Sequence, residues 1–206
     1  MEEIITIKES KIAQIEEKKS KFIANIIPVE SQEIAEKKIK EIKKEHYKAR
    51  HNCVAYRIIE NEQIVEKASD DGEPSGTAGG PMLNILQKNN LINVLVVVTR
   101  YFGGILLGTG GLVRAYSEAT LKAIEEVEIV KKSLLRSIEV KLEYQDLKDF
   151  KYYCQKNNIK IDDINYTEKI VCKILVEEGK KEKFIEDFND KKVKLEEIKI
   201  LSKQYW

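Results

Sequence analysis

The sequence predicts two α+β domains joined near residue 132, the second of them ferredoxin-like. Three observations predict this. Short apolar segments with strand periodicity interleave with segments of helical spacing. The texture changes at Lys131-Lys132-Ser133: nine of the ten glycines lie between Gly72 and Gly111, ahead of that point. Beyond it, the order strand, helix, strand, strand, helix, strand repeats the βαββαβ pattern with short connections.

The elements follow in order. Lys11–Glu17 and Lys21–Val29 read as strands, the second rich in β-branched and aromatic residues with Pro28 near its end. Ser31 is placed as an N-cap, and Ile34, Ala35, Ile39 and Ile42 recur at helical spacing to about Tyr47. Asn52–Ile59 and Gln63–Ala68 form a hairpin turning at Glu60-Asn61-Glu62. Thr77–Lys88 is a helix with Pro81 in its first turn, where the missing N–H costs nothing. Asn93–Thr99 is a continuous apolar strand, central and covered on both faces. A helix from about Gly110 to Glu126 buries Leu112, Ala115, Tyr116, Ala119 and Ala123. In the second domain the strands are Leu134–Leu142, Lys160–Tyr166, Ile170–Val176 and Val193–Leu201, and the helices Gln145–Lys156 and Lys180–Asn189. The domains are therefore residues 1–132 and 133–206.

Composition narrows the function. Of 206 residues, 42% are hydrophobic and 34% charged, enough for buried cores and unlike a disordered chain. Net charge is +1, and residues 1–132 carry 20 basic and 20 acidic side chains, so bulk charge cannot drive nucleic-acid binding. Any phosphate contact needs a local patch. No apolar run reaches the ~20 residues of a membrane span, and no secretion signal is expected at Met1-Glu2-Glu3-Ile4. Cys53, Cys154 and Cys172 are odd in number and far apart, which fits a reducing cytoplasm rather than a disulfide framework. His46 and His51 offer no zinc spacing, and no metal or cofactor is expected.

Two stretches carry the candidate chemistry. Ser69–Pro81 contains Asp70, Asp71, Gly72, Glu73, Ser75, Gly76 and Thr77 between a strand and a helix. Thr99–Tyr116 leaves the apolar strand and enters a helix through Gly103, Gly104, Gly108, Thr109, Gly110 and Gly111. A glycine-rich loop opening a helix exposes unpaired N–H groups at the positive end of the helix dipole. Arg100 and Arg114 flank the second loop, two of only five arginines beside 31 lysines, and an anion held between them would gain charge-assisted hydrogen bonds. The other reading gives these glycines to tight turns and close packing. Neither a Walker A loop nor GxGxxG is present. Asp70, Asp71 and Glu73 suit either a Mg²⁺ site or, preferably, turns and caps, with Ser75 and Thr77 as candidate N-caps. His51 starts a strand and points toward the same sheet edge as the loops, as a functional or a hydrogen-bonded structural residue. Cys53 reads as a small buried hydrophobe. Tyr101-Phe102 offers either an aromatic platform or half-buried rings.

These two motifs, with Lys19-Ser20-Lys21-Phe22-Ile23-Ala24 and His51-Asn52-Cys53-Val54-Ala55-Tyr56, resemble the YigZ/IMPACT family over essentially the whole chain. The resemblance implies an N-terminal two-layer α/β domain of the ribosomal-protein domain 2-like type, also seen in elongation factor G domain IV. It implies a C-terminal domain similar to elongation factor G domain V. Eukaryotic IMPACT proteins are translational regulators that bind the co-activator of a starvation-sensing kinase, a partner bacteria lack. The family motif usually carries a basic residue before Pro81, where this chain has Gly80.

The expectation is a non-enzymatic, cytoplasmic regulator linked to translation that binds RNA, a ribosome or another anionic ligand through Gly/Arg loops centred on Arg100 and Arg114. A protein-binding module and a Mg²⁺-dependent enzyme acting on a phosphorylated small molecule are the alternatives. The second domain's strands Leu134–Leu142 and Ile170–Val176 lack the stacking aromatics of an RNA-recognition sheet.

Overall fold

The computed structural model describes residues 2–206. Its first strand, β1 (Glu3–Ile7), has no counterpart among the elements read from sequence. Five residues, Glu-Ile-Ile-Thr-Ile, are too short to declare themselves. Their partner is distant in the chain: the Leu134 N–H donates to the Glu2 carbonyl at 2.6 Å and the Lys8 N–H to the Glu128 carbonyl at 3.0 Å.

Two compact units result, Ile5–Lys131 and Lys132–Trp206, the latter including the chain up to Ile4. In the first unit, β2 (Lys11–Glu17) and β3 (Ser20–Pro28) form a hairpin, followed by α1 (Gln32–Glu45). Ser31 caps α1, its Oγ accepting from the Ile34 N–H at 3.2 Å. A second hairpin, β4 (His51–Glu60) and β5 (Gln63–Ser69), leads to α2 (Gly79–Lys88). The apolar strand β6 (Val94–Tyr101) then leads to α3 (Gly108–Glu125).

The sheet order is β2-β3-β6-β4-β5, antiparallel throughout. Strand β6 lies in the middle and is buried from Val94 to Arg100. One face packs Phe22, Ala24, Val96 and Val98 against Met82 and Leu86 of α2 and Ala115, Tyr116 and Ala119 of α3. On the opposite face, Val54, Tyr56, Leu95 and Val97 pack against Ala35, Ile39 and Ile42 of α1. This double coverage explains why β6 reads as a continuous apolar run rather than an alternating one.

The second unit is built from β7 (Ile129–Leu142), α4 (Leu147–Lys156), β8 (Lys160–Tyr166), β9 (Ile170–Glu177), α5 (Lys181–Asn189) and β10 (Glu197–Tyr205). The order β10-β7-β9-β8 is the ferredoxin-like arrangement, with β1 also paired to β7. Phe150 and Cys154 of α4 and Phe184 of α5 cover Ile138, Val140, Cys172 and Ile174. Lys131-Lys132-Ser133, read as the point where the two domains join, lies within the 14-residue β7, which begins at Ile129 rather than at Leu134. Pairing with β1 gives that segment the backbone partners a loop would lack. The last strand runs to Tyr205 rather than ending at Leu201.

Candidate functional site

Antiparallel pairing brings the start of β4 and the ends of β5 and β6 to one end of the sheet, where both glycine-rich loops begin. The loop after β5 is organised by a single carboxylate. Asp70 Oδ1 accepts from the N–H groups of Ala78 and Gly79, each at 2.9 Å, and Oδ2 accepts from Gly76 at 2.8 Å. Burial alone would raise the Asp70 carboxyl, but these three amides together hold it below the usual carboxylate range. Asp70 therefore closes the start of α2 from eight residues upstream. Ser75 and Thr77 do not cap it: Ser75 is exposed at the loop tip, and the Thr77 hydroxyl donates to the Pro74 carbonyl at 2.7 Å.

Asp71 ties the same loop to β4 and α1. Its carboxylate accepts from the Asn52 N–H at 2.7 Å and pairs with Lys43 at 2.6 Å. Its carbonyl lies 2.9 Å from His51 Nδ1, which assigns the proton to that nitrogen because a carbonyl only accepts. His51 thus takes a hydrogen-bonded structural position, packed beside Gly72. The Cys53 thiol donates to the Asp70 carbonyl at 3.0 Å, and burial pushes it up to about 12, far from a reactive thiolate.

Glu73 joins the two loops. It is buried, and its Oε1 accepts from Arg100 Nη1 and from the Tyr116 hydroxyl, both at 2.8 Å. Burial, then the neighbouring Cys53 and Glu73, raises the Tyr116 hydroxyl well above its ordinary value. The Arg100 guanidinium carbon also sits 5.6 Å from the ring centres of Phe22 and Phe102. Only 7% exposed and already neutralised, Arg100 is a structural cation, not the free partner of Arg114 that the sequence suggests. The three acidic residues of the loop are all engaged, Asp70 and Asp71 as turn and cap groups and Glu73 in this ion pair. Among the described residues no cluster of three His, Cys, Asp or Glu side chains has the makings of a metal site.

The second loop behaves differently. Gly103 lies so close to the β2–β3 turn that a Cβ there would overlap the Lys19 carbonyl, and its N–H donates to Ser20 Oγ at 3.2 Å. Beyond it, Gly104, Ile105 and Leu106 are exposed, with Leu106 at 82% and the Phe102 ring at 56%. Helix α3 begins at Gly108, whose φ is +72°, and no side chain caps it and no acidic residue stands in its first turn. Gly108, Thr109 and Gly110 are exposed, Gly111 partly so. Arg114, one turn further, is exposed with no ion pair among the described residues, and a Cβ built on Gly110 would come within 4.0 Å of its Nη1. Free donors, the helix dipole and an exposed guanidinium converge on open surface, an arrangement able to hold an anion.

Comparison with known proteins finds relatives of both units. The Impact N-terminal domain matches residues 18–124, and a domain of unknown function, DUF1949, matches residues 140–191. The IMPACT family member YvyE of Bacillus subtilis (strain 168) is 40% identical over 181 residues, spanning 88% of this chain and 83% of that one. The chain belongs to the IMPACT family. A Dictyostelium discoideum IMPACT homolog is 44% identical over 97 residues, which is 46% of this chain and 28% of the homolog. A crystal structure described as that of a hypothetical protein covers 98% of both chains, with 30% identity and a TM-score of 0.67. Both loops fall inside the Impact N-terminal match. At the position where the IMPACT resemblance expects a basic residue, nothing lies within 4 Å of a Cβ added to Gly80, so a longer side chain has room there. Among the described residues no helix is long and apolar enough to cross a membrane.

Sequence reasoning included Ser20, Asn52 and Tyr116 in its motif segments but gave them no role in this loop framework, and it missed Lys43 altogether, because spacing alone does not pair them with Gly103, Asp71 or Glu73. It also passed over Ile105 and Leu106, although two large apolar residues inside a glycine-rich loop were a visible signal.

Proposed function

We propose that this protein is a non-enzymatic regulator linked to translation that binds RNA, free or within a ribosome, through the open start of α3 and Arg114. One observation carries the reading: the exposed first turn of α3 has neither cap nor carboxylate, while the corresponding turn of α2 is closed by Asp70. A backbone phosphate fits the amides of Thr109, Gly110 and Gly111, with Arg114 as counter-charge. Phe102 supplies an exposed face on which a base can stack. The link to translation rests on the IMPACT resemblance, whose eukaryotic members are translational regulators.

The test is fluorescence anisotropy with labelled single-stranded RNA at low salt, together with co-sedimentation with ribosomes. Arg114→Ala should weaken binding about tenfold, the worth of one charge-assisted hydrogen bond, without changing the melting temperature. An unmutated protein that binds neither RNA nor ribosomes removes the proposal.

A second reading, a protein-binding module, draws on the exposed Phe102, Ile105 and Leu106. Leu106→Ser distinguishes the two: a phosphate-directed site keeps its RNA affinity, whereas a protein-docking tip loses its partner. The Mg²⁺-dependent alternative loses its support, since Asp70, Asp71 and Glu73 are spent on amides, Lys43 and Arg100.

A further inference from the structure

The β2–β3 turn holds two lysines, Lys18 and Lys19, both at positive φ, +46° and +62°. A two-residue hairpin turn of this hand favours Asn-Gly, because β-carbons crowd the backbone there. The β4–β5 turn meets that demand halfway with Asn61, also at positive φ, whereas the β2–β3 turn has neither Asn nor Gly. Two cationic side chains are thus kept where backbone geometry argues against them, and both are exposed.

The turn lies next to the loop already described. The Lys19 carbonyl packs on Gly103, adjoining Phe102, and Lys21 pairs across the sheet with Tyr101. The Tyr101 hydroxyl lies 2.9 Å from His46 Nδ1. Next in the chain, Tyr47 is 74% exposed with the Lys48 ammonium 5.6 Å from its ring centre, and exposed Arg50 precedes His51 at the start of β4. Segments 16–21 and 43–51 together hold seven lysines and arginines against three glutamates, and even with Lys43 set aside as the partner of Asp71 six cations remain, in a chain whose net charge is +1. A strip of cations interleaved with an exposed aromatic ring, contiguous with the 102–111 loop, is the surface a flexible polyanion with stacking bases requires.

We infer that Lys18, Lys19, Lys21, Lys48 and Arg50, with Tyr47, form a second phosphate-binding strip, so the ligand is an extended single-stranded RNA rather than a mononucleotide or free phosphate. This rests on the RNA reading of the α3 site. An isolated phosphate needs only the α3 turn; the strip adds contacts that a chain of several nucleotides alone can reach.

The test uses Lys18→Asn with Lys19→Gly, which removes both charges and installs the residues the turn prefers. The full chain is titrated into a labelled 12-nucleotide single-stranded RNA and into a trinucleotide, at several salt concentrations. The melting temperature should hold or rise. Affinity for the 12-mer should fall five- to tenfold, and the slope of log Kd against log salt should shrink by about 1.4, near 0.7 for each phosphate no longer neutralised. Trinucleotide binding should not change. Unchanged 12-mer affinity and slope overturn the inference, as does competition by polyglutamate equal to that by RNA. Loss of binding in Arg114→Ala with none in the turn variant leaves the α3 reading standing and removes this one. An unmutated protein that binds neither probe removes both.

Discussion

Helices α2 and α3 both begin just after glycine-rich loops at the same end of one sheet, yet they end up with opposite chemistry. At α2 the Asp70 carboxylate occupies the amides of Gly76, Ala78 and Gly79. At α3 the equivalent donors face solvent, with Arg114 beside them. A glycine-rich entry to a helix is therefore only half of an anion site. The other half is the absence of an internal anion, and a carboxylate eight residues away is enough to cancel it.

The contrast can be broken most forcefully where the two loops join. Arg100→Ala leaves Glu73 buried without its cation and should cost about 3–5 kcal/mol. Chemical denaturation measures this, and a loss below about 1 kcal/mol would return Arg100 to the surface role that the sequence suggested. Asp70→Ala opens the start of α2 and should cost about 2 kcal/mol, since three charge-assisted hydrogen bonds disappear from a partly buried site. Because the folded state holds the Asp70 carboxyl below its ordinary value, its contribution is full above the unfolded carboxyl range, near pH 4, and fades as pH falls through the lowered value. Melting temperatures of Asp70→Asn should accordingly decline less steeply below pH 4 than those of the unmutated chain. The gentlest change sharpens the comparison instead. Thr109→Asp gives α3 the internal carboxylate it lacks. It should stabilise the fold by about 0.5 kcal/mol while weakening RNA binding about tenfold, opposite signs that only a ligand-directed turn produces.

Much of this was legible in the sequence, for physical reasons that stop at a definite place. Periodicity exposed α1 with its Ser31 cap, the central β6 and the βαββαβ order, since each is a local pattern. It failed for β1, five residues whose partner lies more than a hundred positions away. It also started the second domain's first strand at Leu134, whereas pairing carries β7 back through Lys131-Lys132-Ser133 to Ile129. At the site, the uncapped glycines of α3 and Arg114 were readable because helix starts are local features. The burial of Arg100 was not: its partner Glu73 lies 27 residues earlier, and a guanidinium beside glycines looks the same in sequence whether it faces solvent or a buried carboxylate. Cap assignment failed similarly, because Ser75 and Thr77 sit at the usual distance from α2 and Asp70 does not.

The most direct measurement is a ¹H–¹⁵N amide titration of the full chain with single-stranded RNA. The open start of α3 predicts shifts at Thr109, Gly110 and Gly111, with Gly76, Ala78 and Gly79 unmoved. Shifts of equal size at both helix starts, or at neither, would contradict it.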